Sequence, residues 1–237
     1  MESYGVVPKK IEQMWKDCQG AGDVLARVSA GYTDLYRVNT ESGSCLAELS
    51  GSYRYTLQGA EDLPVTGDWV VIDRESDEQG HAIIHYLFPR ISQIERTASG
   101  SDRHEKQLLA ANVDMIGICM ALNRDYNLRR LERYLTLVWN SGAVPLVILT
   151  KTDLCVDLSA RISEVEASAV GVNVITTTVK GKDGFSAIDP YLKADRTLAF
   201  IGSSGVGKST LINYLLGSSF AAARGLRGDG KGRHTTT

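Results

Sequence analysis

The residues best equipped for chemistry lie late in the chain: Gly202, Ser203, Ser204, Gly205, Val206, Gly207, Lys208 and Ser209, with Thr210 next. The run satisfies G-x-x-x-x-G-K-[ST], a spacing that holds polyphosphates. Its glycines allow backbone angles and close approaches that a Cβ would block. Successive N–H groups of such a loop, together with the positive end of the helix that follows, face an anion. Lys208 is then the charge-stabilising catalytic residue at the β- and γ-phosphates, and the Ser209 hydroxyl is a Mg²⁺ ligand. The context agrees, because Thr197–Ile201 reads as a short buried strand and Ser209–Leu216 as a helix closed by Gly217. The implied ligand is a nucleoside triphosphate carried with Mg²⁺.

A second set of residues bears on which nucleotide. Thr150, Lys151, Thr152 and Asp153 end another apolar run. A carboxylate at Asp153 can accept from both the N1–H and N2–H₂ groups of guanine, a donor pair that adenine lacks. The Lys151 stem can cover one face of the base, and Thr150 can donate a hydrogen bond. The tetrad resembles the guanine-reading N-K-x-D motif of GTPases, with threonine where asparagine is usual. After the next apolar run come Thr176–Val179 and Lys180–Gly184. This segment is similar to the S-A-x-x-G-x-G region of GTPases, with Thr178 and Val179 in the Ser-Ala positions as guanine-binding residues. The alternative reading is an ATP-using phosphoryl-transfer enzyme in which Asp153 only caps a helix.

These motifs need a scaffold, and the apolar pattern supplies one. From Val113 onward, apolar runs at Val113–Met120, Val144–Leu149, Val172–Ile175 and Thr197–Ile201 alternate with helical spacing. Leu128, Leu131, Leu135 and Val138 form one stripe; Ile162, Val165 and Ala169 form another; a short helix is expected at Ala187–Leu192. Strands alternating with helices predict a parallel sheet whose ligands bind at the strands' carboxyl ends. Earlier in the chain the pattern is different. Val24–Val28, Asp34–Val38, Ser44–Leu49, Tyr53–Leu57, Asp68–Ile72 and Ala82–Leu87 read as short strands between turn residues. Such spacing predicts a small antiparallel barrel or sandwich. Ile11–Trp15 reads as a terminal helix. The expected division is an extension over 1–21, a barrel over 22–95 and an α/β nucleotide domain over 96–237.

Composition sets outer limits. Hydrophobic residues at 43% and charged residues at 23% are those of a globular protein, and the net charge of −2 gives no global drive toward nucleic acid or membrane. The four cysteines form no C-x-x-C pair, which predicts a reducing compartment, no disulfides and no zinc site in this chain. No stretch has the length or character of a signal peptide or membrane span, so a cytoplasmic location without membrane contact is expected. Local basic groups are the places for nucleic-acid contact. Arg224, Arg227, Lys231 and Arg233 alternate with glycines; Arg27, Arg37, Tyr53, Arg54 and Tyr55 mix cations with aromatic rings; Arg90, Arg96, Arg103, His104 and Lys106 form a third group. For Tyr53 and Tyr55, filling a barrel core is an equal alternative.

The order of the motifs is the most specific feature. In ordinary GTPases the phosphate loop precedes the base-reading motif, whereas here it follows, as in a circularly permuted domain. Permutation behind a small barrel resembles the ribosome small-subunit-dependent GTPase A family of bacteria. The residues carrying the likeness are Thr66–Val70, Ala111–Asp114, Thr150–Asp153, Gly202–Thr210 and Gly232–Thr237. The resemblance implies an OB-like barrel, a permuted GTPase domain truncated at its C-terminal end, and GTP hydrolysis stimulated by the 30S subunit during its maturation. It implies GTP or GDP with Mg²⁺ as ligands, the 30S subunit and 16S rRNA as partners, and a monomer. One of Thr235, Thr236 and Thr237 is the expected switch threonine; Thr236 is assigned to catalysis and to Mg²⁺. His234 is a catalytic residue that orients water, an RNA contact, or a residue without a role. The family continues with a D-T-P-G switch and a zinc-binding segment that are absent from this sequence, so weak, slow turnover by the chain alone is expected. A nucleotide-gated RNA-binding module without significant turnover is the remaining alternative.

Overall fold

A computed structural model of the chain describes residues 6–97, 106–181, 184–193 and 196–217. Contacts divide these residues into two compact units. One runs to Asp114 and includes Arg196 and Thr197; the other holds Met115–Lys193 and the residues from Leu198.

The first unit opens with α1 (Lys9–Cys18), β1 (Val24–Gly31), β2 (Tyr36–Asn39), β3 (Ser44–Leu49) and α2 (Gly51–Thr56). After a 3₁₀ turn at Ala60–Asp62 come β4 (Trp69–Ile72), β5 (Ala82–Leu87), β6 (Gln93–Thr97) and β7 (Lys106–Ala111). β1 to β5 close into a barrel in the order β1-β2-β3-β5-β4. β3 pairs with β5 in parallel and the other neighbours are antiparallel. This five-stranded closed arrangement is the OB topology, and closure removes the unpaired edges of an open sheet. Alternation fills the barrel: Tyr36 and Val38 from β2 and Cys45, Ala47 and Leu49 from β3 all point inward.

β4 departs from the alternating rule because it is buried on both faces. Val70 and Ile72 enter the barrel, while Trp69 and Val71 pack with Phe88 and with Ile11 of α1. Full burial of a side chain such as Ile11 contributes about 1.5–3 kcal/mol to the docking of α1, where Val7, Met14 and Trp15 also pack. Two sequence expectations change here. Of the expected strand Tyr53–Leu57, Tyr53–Thr56 is helical, not extended, because the Ser50 hydroxyl accepts from the Tyr53 N–H at 3.1 Å and caps α2; a local cap outweighs the strand preference of the tyrosines. The β6–β7 hairpin, antiparallel with a register shift at Ile94/Glu95, carries no clean alternation and was not expected.

A polar latch pins the turn before β4. Gly67 has φ +93°, and a Cβ there would lie 2.0 Å from the Ala111 carbonyl oxygen. Asn112, itself at φ +54°, donates to the Gly67 carbonyl at 3.0 Å and accepts from the Ile91 N–H. Asp68 is fully buried; it accepts from the Val65 N–H and pairs with Arg90 at 2.8 Å. Arg90 also donates to the carbonyls of Glu61 and Leu63. Burial pushes the Asp68 carboxyl upward, with Arg90 pulling the other way. Thus Thr66–Val70 and Ala111–Asp114 include the parts of one structural joint.

The second unit contains β8 (Met115–Ala121), α3 (Leu128–Ser141), β9 (Val144–Thr150), α4 (Leu158–Ser168), β10 (Asn173–Thr176), β11 (Leu198–Ile201) and α5 (Lys208–Leu215). The sheet is wholly parallel in the order β10-β9-β8-β11. Every residue of β8 is buried, as its continuous apolar run predicts for a central strand. Asn127 caps α3 by accepting from the Arg130 N–H, and Gly142 ends it in the left-handed region. The helix expected at Ala187–Leu192 is a 3₁₀ segment, Ser186–Tyr191, with Pro190 inside it. Among the described residues no helix is long and apolar enough to cross a membrane.

Candidate functional site

The carboxyl ends of β9 and β11 carry the two nucleotide motifs. From β11 the chain enters the loop Gly202–Gly207 and then α5, the strand–loop–helix order required for N–H groups to converge on an anion. Gly202 has φ +146°, and a Cβ on it would stand 2.4 Å from the Cys119 carbonyl oxygen. The loop therefore lies directly on the end of β8 because that residue has no side chain. Val206 is buried and plugs the loop into the core beside Leu211 of α5. Ser204, Gly205, Ser209 and Thr210 are exposed, and Ser203 is half-buried.

The Lys208 ammonium turns back over the loop and donates to the Gly202 carbonyl at 2.8 Å and the Ser203 carbonyl at 2.7 Å. Burial lowers its pKa, against the opposing influence of Cys119 and Asp125. A polyanion beside it would favour its charged form and reverse that shift. The neighbouring Cys119 thiol is pushed up to about 12 by burial and is inert at neutral pH.

The Thr150–Asp153 segment is tied to the same loop by two bonds. Thr150 is buried, and its hydroxyl donates to the Val206 carbonyl. The shorter threonine thus spans the distance from β9 to the loop. Lys151, in the left-handed region at φ +57°, donates to the Gly205 carbonyl at 2.7 Å. Thr152 donates through both its N–H and its hydroxyl to the Thr177 carbonyl. These bonds fix the tetrad between the loop and the end of β10.

Asp153 comes next in a 3₁₀ turn, Thr152–Leu154. Its Oδ1 accepts from the Thr178 hydroxyl at 3.0 Å, and the Lys180 ammonium stands 3.6 Å from Oδ2. The Thr178 bond, first among the causes, holds the Asp153 carboxyl below the usual carboxylate range. Thr178 is itself fixed by its N–H bond to the Gly184 carbonyl. Thr178 therefore touches the Asp153 carboxylate directly, whereas Val179 is exposed. Asp153 does not cap α4; Asp157 does, accepting from the Ala160 N–H.

Other residues singled out in the sequence divide. Arg27 is turned inward, donating to the carbonyls of Gly67 and Asn112 and to the Thr197 hydroxyl, with its guanidinium 5.2 Å from the Trp69 ring centre. Tyr53 packs on the barrel core and donates to the Asp62 carbonyl. Neither side chain is free to stack on a nucleic acid. Arg90 belongs to the Asp68 latch. Arg37, Arg54 and Tyr55 are exposed, Arg54 paired with Asp34. His234, Thr235–Thr237, Arg103, His104 and the Arg224–Arg233 run lie outside the described residues, as do the side chains of Arg96 and Lys106. One residue that the sequence does not mark also meets the loop: Arg130 donates to the Ser203 hydroxyl and pairs with Asp125. No motif marks it, since its two partners are 73 and 5 positions away.

Among the described residues no cluster of metal-ligating side chains occurs. Mg²⁺ accompanying a nucleotide does not need one, because it takes one or two protein oxygens and fills its remaining positions with phosphates and water. An exposed Ser209 hydroxyl in the first turn of α5, directly after Lys208, meets that requirement.

Known proteins resemble this chain in sequence and in fold. A profile of the RsgA GTPase family matches residues 87–237. The small ribosomal subunit biogenesis GTPase RsgA 2 of Lactiplantibacillus plantarum is 45% identical over 217 residues, 91% of this chain and 60% of that protein. The RsgA of Syntrophotalea carbinolica is 43% identical over 235 residues, 95% of this chain and 63% of its own length. The chain thus spans less than two thirds of these relatives. In fold it is similar to YjeQ from Thermotoga maritima, with a TM-score of 0.63 and 21% identity over 81% of this chain and 64% of that one. YloQ, described as a circularly permuted GTPase, gives 0.61 and 23% over 81% and 63%.

Proposed function

This chain belongs to the RsgA GTPase family, and on that footing we propose that it binds and hydrolyses GTP in the maturation of the 30S ribosomal subunit. The observation that carries the guanine assignment is Asp153. Its carboxylate is kept ionised by Thr178 and placed next to a tetrad bonded to the phosphate loop through Thr150 and Lys151. One rigid arrangement thereby fixes the distance between base recognition and phosphate recognition.

The phosphate loop holds the β-phosphate through its N–H groups, and the Lys208 ammonium stabilises charge on the β- and γ-oxygens. Lys208 needs little reorganisation, because the Gly202 and Ser203 carbonyls already hold it over the loop. Ser209 would hold Mg²⁺, which when bound supplies neutralising charge to the triphosphate oxygens. Thr236 is the proposed switch threonine, and His234 the proposed residue that orients the attacking water. The barrel is proposed to contact 16S rRNA. Arg37, Arg54 and Tyr55 are exposed cationic and aromatic groups of the barrel suited to that contact, and the basic Arg224–Arg233 run of the sequence is proposed as a second RNA contact. A monomer working in the cytoplasm fits this role.

Two measurements test the proposal. Calorimetry with GDP and ADP should show a preference for GDP; equal affinities would remove the guanine assignment. GTP turnover by a protein carrying the full family length should rise on adding purified 30S subunits. Unchanged turnover would leave a nucleotide-gated binding module as the better reading.

A further inference from the structure

We propose that Arg130 is a positioning residue for the phosphate loop, acting through Ser203 on Lys208. The inference rests on the nucleotide reading of that loop and adds a residue to it from a different element.

Arg130 lies in the first turn of α3, where its N–H is held by the Asn127 cap. Its Nη1 atom makes two contacts: one to Asp125 Oδ1 at 2.6 Å, the other to the Ser203 hydroxyl. Asp125 lies between β8 and α3, so the guanidinium is anchored from behind before it meets the loop. Among the described residues the second Asp125 oxygen is buried and meets no donor, and Arg130 is the cation paired with that carboxylate. The pair is a charge-assisted hydrogen bond, which orients the guanidinium toward the loop.

Ser203 is the point of transmission. Its side chain meets Arg130, and its carbonyl is one of the two that hold the Lys208 ammonium. The other, that of Gly202, belongs to a residue seated against the Cys119 carbonyl. One side of the Lys208 cradle is therefore fixed by backbone packing on β8. The other side is fixed by the Asp125–Arg130–Ser203 chain. Arg130 touches no atom that the mechanism assigns to the nucleotide; its effect passes through Ser203. A change there should loosen phosphate recognition without altering base recognition.

A double-mutant cycle on the full chain reads this directly, with GDP affinity measured by calorimetry and melting followed in parallel. Arg130→Gln should weaken GDP binding about tenfold, and Ser203→Ala by a similar factor, the size expected for a hydrogen bond to a charged group. The double variant should bind no worse than the weaker single one, because both changes cut the same link. Arg130→Lys, which keeps the charge and a donor, should recover most of the affinity. Additive losses of about a hundredfold would overturn the inference, as would GDP affinity that is unchanged in either single variant. If Arg130→Gln does not fold, Arg130→Met, which keeps the aliphatic stem and removes the guanidinium, takes its place in the cycle with Ser203→Ala. Failure of the unaltered protein to bind GDP would instead overturn the nucleotide reading itself.

Discussion

At the Gly67 corner a fully buried aspartate meets an arginine, and that arginine spends its remaining donors on two backbone carbonyls. At the Gly202 loop two lysines end on backbone carbonyls, and among the described residues neither is paired with a carboxylate. Both places are built around a glycine whose Cβ would strike a carbonyl oxygen, and both contain charges drawn from distant parts of the chain. The difference lies in where the charge is balanced. In the barrel, positive and negative groups close on each other, so the cluster needs nothing from outside and serves stability. In the loop, cations are collected and held in place without equal negative charge. Such a cluster would gain from an incoming anion, and this is the physical difference between the proposed binding site and a structural joint that has an equally conspicuous sequence.

The contrast predicts that the two clusters fail in different measurements. The largest effect is expected from Arg90→Ala, which leaves Asp68 buried without its partner. Chemical denaturation should show a loss of about 3–5 kcal/mol, with nucleotide affinity unchanged in the folded fraction. A parallel loss of GDP affinity would mean that the barrel latch also supports the site.

Lys208→Ala should do the reverse. Turnover should fall by about a hundred- to a thousandfold, or ~2.7–4 kcal/mol, while the denaturation midpoint stays in place. Normal turnover in this variant would place the chemistry elsewhere. Asp153→Asn comes next in size: it should lower the preference for GDP over ADP by roughly five- to a hundredfold, about 1–3 kcal/mol, for an unpaired buried donor. A competition assay between the two nucleotides would detect it, and an unaltered ratio would mean that Asp153 does not read the base.

The smallest effect is a shift on the pH axis. Thr178 holds the Asp153 carboxyl below its ordinary value. Guanine preference should therefore persist above the usual carboxylate range and be lost as pH falls through the lowered value. Removing the hydroxyl with Thr178→Val should let the pKa return upward, so the loss begins at higher pH. GDP affinity titrated toward acid for both proteins checks this. Coincident curves would show that the Thr178 bond contributes nothing to base reading.

Much of this site was legible because its residues are contiguous. A phosphate loop needs its glycines, lysine and serine at fixed offsets along one turn, so Gly202–Ser209 stands out in the sequence. Asp153 was legible for the same reason, as the last member of a tetrad at the end of an apolar run. Arg130 was not, because a guanidinium on the first turn of α3 reaches Ser203 only after the sheet has formed. Arg27 and Tyr53 were read as partly available for RNA because their types suit it. Their inward hydrogen bonds depend on carbonyls that lie up to 85 positions away. The helical state of Tyr53–Thr56 turned on one hydroxyl, that of Ser50, whose capping role competes with strand preference over a short distance.

The sequence by itself determined the periods of the elements, the order in which the motifs occur, and the chemistry of the two motifs. Those depend on neighbours in the chain and on side-chain type. Only the tertiary structure decided which charges are spent and which are held for a ligand. Asp68 and Arg90 cancel inside the barrel, Thr178 keeps Asp153 ionised, and Thr150 and Lys151 bind the base-reading turn to the loop. The physical reason is that electrostatic balance and hydrogen-bond satisfaction are settled by distances of a few ångströms between residues far apart in sequence. No pattern along the chain encodes those distances until the sheet and barrel have brought the residues together.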